Sequence, residues 1–402
     1  MNSPLLLPKK VLIIVENLPV PPDRRVWLEA TTLLQAGYEV SVICPKGHGY
    51  YESFENIDGV HIFRHPFPYE ANNALGYAFE YSWALFWQFV LSLRVLFVRG
   101  FDAIHACNPP DTIFLIAAFY KLFGKKYIFD HHDLNPELYI VKFGRKDFFY
   151  KLLLLLERLT FMVADVSIAT NESYKKIAVE RNGMKPDDVF IVRSAPQLVP
   201  LSDLPPLNPS YRNNRRYLVG YVGVMAKEDG IDGLLRSIQQ IVQVSGRNDI
   251  QFILIGRGTE LESLRIYAAK LGISDFVTFT GWLQGQELLA ALNSIDVGVV
   301  PDKVNEINDK STTNKVMSYM SVAKPMVQYS TTEGRFSAQD AAAYASANDE
   351  VDFARLIIRL IDNEAERERM GRLGRKRMEE VLDWRYEIPK LLAAFDRLFG
   401  KA

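Results

Sequence analysis

Short apolar runs bounded by charged or turn-forming residues recur along the chain and alternate with longer segments of helical periodicity. In the first half the runs are residues 11–15 (VLIIV), 40–44 (VSVIC), 103–107 (AIHAC), 127–129 (YIF) and 166–170 (VSIAT). Runs this short and this rich in β-branched residues fit strands buried on both faces of a parallel sheet. The segments between them are long enough for helices, so the pattern predicts βαβ units. Pro196, Pro200, Pro205, Pro206 and Pro209 then interrupt any regular element, and the polar run 212–216 (RNNRR) completes an expected connection. Beyond it, residues 217–223, 250–256, 276–281, 296–300 and 325–329 repeat the strand pattern. The expectation is two doubly wound α/β domains, over 1–200 and 201–383, facing one another across a cleft. Ligands of open parallel sheets bind beyond the carboxyl ends of the strands.

Length agrees with two domains, since 402 residues exceed what one hydrophobic core organises. Hydrophobic residues at 48% and charged ones at 24% exclude a disordered or fibrous chain. A formal net charge of -1 gives no reason to expect nucleic-acid binding. The two cysteines, Cys44 and Cys107, are too few for a disulfide framework or a thiolate metal site and suit a reducing cytoplasm. No signal peptide is read, and the uncharged stretch Tyr81 to Leu93 is shorter than the ~20 residues of a spanning helix, so no membrane crossing is expected.

Candidate chemistry lies after the strands. Gly223 sits in a glycine-containing strand-to-helix turn that aims backbone amides at a phosphate or is a plain turn, and Lys227 adds a charge there. Arg257, flanked by Gly256 and Gly258, suits a diphosphate. Lys315 falls near the start of an expected helix, as a phosphate ligand or a solvated lysine, and Glu333 opens a loop after another strand. Asp130-His131-His132-Asp133 follows a strand directly. Adjacent residues there point in different directions, so a hydrogen-bonding role is expected and a metal site is not. His105 lines the same opening or is a buried structural residue. Arg24 and Arg25 fall in the first turn of an expected helix, where a cation opposes the macrodipole at about 0.3 to 1 kcal/mol. They are either solvated or ligands of a phosphate-bearing acceptor. Residues 83–100 and 142–161 mix aromatic and aliphatic side chains with cations, which fits a lipid interface or core helices covering the sheet.

Several segments together resemble the family-4 glycosyltransferases of the GT-B fold, of the bacterial surface-polysaccharide type. They are VLIIVENLPVPPDRRVW, DHHDLNPELY, FFYKLLLLLERLTF, SIATNESY, GYVGVMAKEDGID, FTGW, and the stretch NDKSTTNKVMSYM through PMVQYSTTEGRFSAQDA. The resemblance covers nearly the whole chain. It implies an acceptor-binding amino-terminal domain and a nucleotide-sugar-binding carboxyl-terminal domain. A final segment, 384–402, with a helix from Trp384 to Phe399, would cross back onto the first domain. It further implies transfer with retention of configuration, metal-independent and without a cofactor, from a UDP- or GDP-sugar to a lipid-linked or glycan acceptor.

Residue by residue, the resemblance puts His132 and Asp133 near the transferred sugar and Lys227, Arg257 and Lys315 at the departing diphosphate. It places Gly281 and Trp282 at the base, and His105 and His131 with Arg24 and Arg25 on the acceptor side. The family pattern has glutamates at two positions eight apart where this chain has Lys310 and Ser318, and glycine in the slots of Ala226 and Ala323. The Ser318 slot would serve the ribose, with Glu306, Asp309 or Glu333 as substitutes. A catalytically weakened nucleotide-sugar-binding partner in a polysaccharide-assembly complex is therefore the alternative function. The expected location is cytoplasmic, peripheral on the inner membrane.

Overall fold

The computed structural model describes residues 8–66 and 74–400. The chain divides into two compact units. One runs to Arg193 and resumes at Glu387; the other is Ser194–Tyr386.

The first unit opens with β1 (Lys10–Ile14), α1 (Arg24–Gln35), β2 (Glu39–Pro45), β3 (Phe54–Ile57) and β4 (Val60–His65). It continues through α2 (Ala74–Val98), β5 (Ala103–Cys107), α3 (Phe114–Lys121), β6 (Lys126–His131), α4 (Asn135–Phe143) and α5 (Phe148–Val163). β7 (Val166–Ala169), α6 (Glu172–Lys176) and β8 (Val189–Ile191) follow. The strands lie in the order β3-β4-β2-β1-β5-β6-β7-β8, and every pairing but β3–β4 is parallel. The β3–β4 hairpin turns through Asp58 and Gly59, both at positive φ, as a two-residue hairpin turn requires.

From β1 the chain steps to β2 and β4 on one side, then returns across the sheet through α2 to β5 and continues outward through α3 and α5. Parallel crossovers are right-handed, so α2, α3 and α5 share one face of the sheet and α1 takes the other. Phe89 of α2 meets Phe119 of α3 with ring centroids 5.4 Å apart, and α3 packs on α5.

Both faces of this helical layer are apolar. Ala84, Leu91 and Val95 of α2 are buried, while Phe79, Phe86, Val90 and Phe97, spaced seven, four and seven residues apart, form an exposed stripe. Phe148, Leu155 and Met162, seven residues apart, do the same on α5. The apolar length read from the uncharged stretch Tyr81 to Leu93 is revised. α2 runs unbroken past Glu80 and Arg94, and Phe79–Val98 is long and apolar enough to cross a membrane, with 28% of it buried. Its inner side packs on β2 and β4.

The second unit holds β9 (Tyr217–Val222), α7 (Ile231–Gln239), β10 (Ile250–Ile255), α8 (Leu261–Lys270), β11 (Val277–Gly281) and α9 (Gly285–Ser294). Then come β12 (Val297–Val300), α10 (Glu306–Lys310), α11 (Asn314–Ser321), β13 (Met326–Tyr329) and α12 (Thr332–Ala338). β14 (Ala342–Ala345), α13 (Glu350–Asp362) and α14 (Glu364–Arg377) complete it. Its sheet is parallel throughout, in the order β11-β10-β9-β12-β13-β14. Apolar clusters fill both of its faces.

The chain then passes a short turn at Trp384–Tyr386 and ends in α15 (Ile388–Phe399), which belongs to the first unit. α15 lies on β7 and β8, and Phe395 meets Tyr38 at 5.6 Å. Buried Glu387 receives the backbone N–H of Arg193 at 2.9 Å. The strand order reverses between β1 and β5 in one sheet and between β9 and β12 in the other, which marks where each should bind a ligand.

Candidate functional site

In the first unit the reversal point is filled by charge. Asp23 caps α1 by accepting the N–H of Val26, so Arg25 and Glu29 lie one turn apart on its inner side. Arg25 donates from Nη2 to Asp130 Oδ1 at 2.8 Å and from Nη1 to the Val192 carbonyl at 2.8 Å, and its Nε lies 2.9 Å from His132 Nε2. Its Nε also lies 3.1 Å from Glu29 Oε1. His132 Nε2 is 2.6 Å from Asp130 Oδ2, and His105 Nε2 is 3.2 Å from the same oxygen.

Burial would raise the Asp130 carboxyl, but the charges of Arg25 and His132 outweigh it and hold the group well below the usual range. Glu29 goes the other way, pushed well up by burial and then by the Asp130 charge. Burial and charge thus drive the two neighbouring carboxyls in opposite directions. The short contact with Asp130 puts a proton on His132 Nε2 and fixes the ring, turning Nδ1 to its other edge.

Asn108 fixes the following loop. Its Oδ1 accepts the N–H groups of His132 and Asp133 at 2.7 and 3.1 Å, while its Nδ2 donates to the Asp133 carbonyl and to Asp111 Oδ1, both at 2.8 Å. Asn135 donates to the other Asp111 oxygen at 2.7 Å, and burial pushes Asp111 up to about 7. Burial likewise raises Asp133.

This placement corrects two expectations. The Arg25 guanidinium is turned inward and engaged, so it is not presented to an acceptor phosphate; Arg24 beside it is exposed. His131 does not reach an acceptor either. Its ring is buried among Phe129, Phe161 and Tyr174, and burial followed by the charges of Arg181 and His132 lowers it to about 3. His105 takes the buried structural role that its position left open. Glu29, His105, Cys107 and Asp130 bring potential ligand atoms within 4.8 Å of one another. Arg25 already holds both carboxylates there, and burial pushes the Cys107 thiol well up, so the set fits a charge network better than a cation site.

In the second unit the equivalent edge is built from backbone. A Cβ on Gly256 would come within 1.8 Å of the Gly223 carbonyl, and one on Gly258 within 2.3 Å of the Met225 carbonyl. Only glycine lets the loops after β9 and β10 lie this close. Lys315, in the first turn of α11, packs its stem against Gly223. Its ammonium reaches Asp302 at 2.6 Å and Asp229 at 3.4 Å. Burial would lower this lysine, but the two carboxylates raise it, so it stays charged. α11 itself starts without a side-chain cap, and the Thr313 hydroxyl donates to Asp302.

Arg257 is exposed and stands over the ring of Trp282, itself 46% exposed, at 5.7 Å. Gly281, at positive φ, precedes it. Lys227 is exposed in the turn after β9, and Glu333 is buried in the first turn of α12. Ser318 spends its hydroxyl on the Asn314 carbonyl at 3.1 Å. Of its proposed substitutes, Asp309 accepts from Thr332 and Glu306 pairs with Lys310 at 3.0 Å.

Two family models divide the chain much as the two units do. The model described as Glycosyltransferase Family 4 matches residues 23–194, and that described as Glycosyl transferases group 1 matches residues 208–377. The chain belongs to the family-4 glycosyltransferases. Among curated relatives, the 2-deoxystreptamine glucosyltransferase of Streptomyces kanamyceticus is 24% identical over 46% of this chain and 46% of its own. The match thus spans about half of that relative. Solved structures with the same GT-B fold cover nearly everything. Sucrose-phosphate synthase from Thermosynechococcus elongatus, 18% identical, gives a TM-score of 0.78 over 98% of this chain and 100% of its own. WaaG, a glycosyltransferase involved in lipopolysaccharide biosynthesis, gives 0.70 at 15% identity over 97% and 100%. Anabaena HepE in complex with UDP and glucose gives 0.71 at 12% identity over the same shares. At Ser318 and Lys310, where the resemblance implies glutamates, this family-4 chain has other side chains. Ala323, where the pattern has glycine, is held at a φ of 55° with its carbonyl facing Gly371.

Proposed function

We propose that the chain transfers a sugar, with retention, from a UDP- or GDP-sugar to a lipid-linked or glycan acceptor in surface-polysaccharide assembly at the cytoplasmic face of the membrane. One observation carries the reading: at a single sheet edge, glycine-lined loops, an uncapped helix start, the charged Lys315 and the Arg257–Trp282 pair converge. Those are the parts a nucleoside diphosphate asks for, with backbone amides and cations for the phosphates and a ring platform for the base. The complexes of HepE with UDP and the role of WaaG in lipopolysaccharide biosynthesis support the donor and acceptor classes.

Transfer breaks the bond between the anomeric carbon and the diphosphate oxygen and forms one to the acceptor hydroxyl oxygen on the same face, the acceptor proton passing to the leaving diphosphate. No protein nucleophile or metal is called for. The protein's contribution is to hold both reactants and to stabilise charge on the departing phosphates through Lys315, Arg257 and the backbone amides of the β9 and β10 loops, with Lys227 at the edge. His132 would orient the sugar through Nδ1, its ring fixed by Asp130, with Asp133 beside it.

The second reading, a weakened relative that binds the donor without transferring it, is favoured by Ser318 spending its hydroxyl on Asn314 and by the two carboxylates on Lys315. Calorimetric titration with UDP- and GDP-sugars, followed by turnover on membrane lipid extract, separates the two. Binding with transfer supports the first reading and binding alone the second; absence of binding to either donor overturns both.

A further inference from the structure

The three helices on one face of the first sheet each carry an inner apolar side, spent on the core, and outer apolar side chains that are exposed among the described residues. The outer side includes Phe86 and Phe97 of α2, Leu115 of α3, and Phe148, Leu155 and Met162 of α5, with Phe97 84% and Phe148 72% exposed. Leu122, 81% exposed, continues it just past the end of α3. Scattered exposed leucines are ordinary, but exposed apolar side chains gathered on three adjacent helices of one layer mark an interaction site.

Charge selects its occupant. The carboxylates on these helices are Glu80 and Glu157, and both are buried. The exposed charges are cations: Arg94 on α2 and Lys151 and Arg158 on α5. A second copy docking through the same patch across a two-fold axis would set these cations against themselves. An anionic lipid surface neutralises them while taking the apolar side chains into its interface. α2 has the length of a spanning helix, yet its other side is packed on β2 and β4, so it would lie along the surface.

We propose that the outer face of α2, α3 and α5 docks the protein on an anionic membrane surface. The inference deepens the proposed function by naming the side from which a lipid-borne acceptor is met, and it rests on that reading for its purpose alone.

Flotation of the full chain tests it, with vesicles of phosphatidylcholine alone and of phosphatidylcholine mixed with phosphatidylglycerol. The protein should float with the mixed vesicles and stay down with the neutral ones, and high salt should release it. Phe97→Ser with Met162→Ser, and separately Lys151→Glu with Arg158→Glu, should each cut the floated fraction by at least about tenfold. All four positions are exposed, so calorimetric nucleotide binding should match the parent chain. Protein that stays soluble with anionic vesicles overturns the proposal, as do variants that float like the parent. A dimer in sedimentation that Phe97→Ser with Met162→Ser abolishes reassigns the face to a second copy. Flotation without any nucleotide binding would instead overturn the proposed function and leave this face standing.

Discussion

At the carboxyl edge of its sheet the first unit buries ionised side chains, whereas the second ends in glycines, backbone amides and one paired lysine. In the first, Arg25, Asp130 and His132 engage one another, and burial with the Asp130 charge pushes the neighbouring Glu29 carboxyl up. The second is built from closely apposed glycine loops and a helix start without a side-chain cap. One edge holds a side chain in a single orientation, and the other is where the proposed donor's phosphates would sit. The same α/β scaffold supports both, because the residues beyond the strand ends are free to differ while the strands are not.

Breaking the first edge should cost most. Arg25→Met leaves Asp130 buried with its main counter-charge gone, and the loss should be about 3 to 5 kcal/mol. Hydrogen exchange at β1, β5 and β6 amides would show it in the first unit, with nucleotide affinity in the second unchanged. A loss below about 1 kcal/mol would mean the pair counts for no more than an exposed one.

His131 sharpens the contrast through pH. The folded ring titrates at about 3, against an ordinary value of 6.5. Between these values the unfolded chain takes up a proton that the folded chain refuses, so this contribution to stability is present above about 6.5 and lost as pH falls toward 3. His131→Phe should fit the aromatic cage and remove the loss, gaining about 2 kcal/mol at pH 5 relative to its effect at pH 8. Urea melts at both pH values measure this, and equal effects at the two would refute it.

The smallest change concerns the second edge. Ser318→Glu restores an acceptor long enough for ribose hydroxyls and should tighten UDP or GDP binding about tenfold, the worth of roughly one charged-acceptor hydrogen bond. An unchanged dissociation constant would show that the departure at Ser318 is not what limits affinity.

Much of the fold is legible in the sequence because buried parallel strands are short β-branched runs; β1, β2, β5 to β7 and β9 to β13 all coincide with them. The β3–β4 hairpin is not read that way, although Asp58-Gly59 between alternating residues is its signal. β8 is too short at 3 residues, and β14 (AAYA) lacks branched residues. At the second edge, Gly223, Arg257, Trp282 and Lys315 are readable from their place after strands. The first edge is harder. Arg25 and Glu29 share a helix face by their spacing of four, but Asp130 is more than 100 positions away, and only the sheet brings it to them. Asn108 and Asp111 carry no local signature, because their work is to brace a backbone that another strand supplies.

The most direct test of the central claim, that the second unit's strand ends receive a nucleoside diphosphate, is an amide chemical-shift map of the isotope-labelled chain titrated with UDP and with GDP. The largest shifts are predicted at Gly223, Met225, Arg257 and Gly258, at the first amides of α11, and at the Trp282 indole. Saturable shifts clustered elsewhere, or none with either nucleotide, would contradict it.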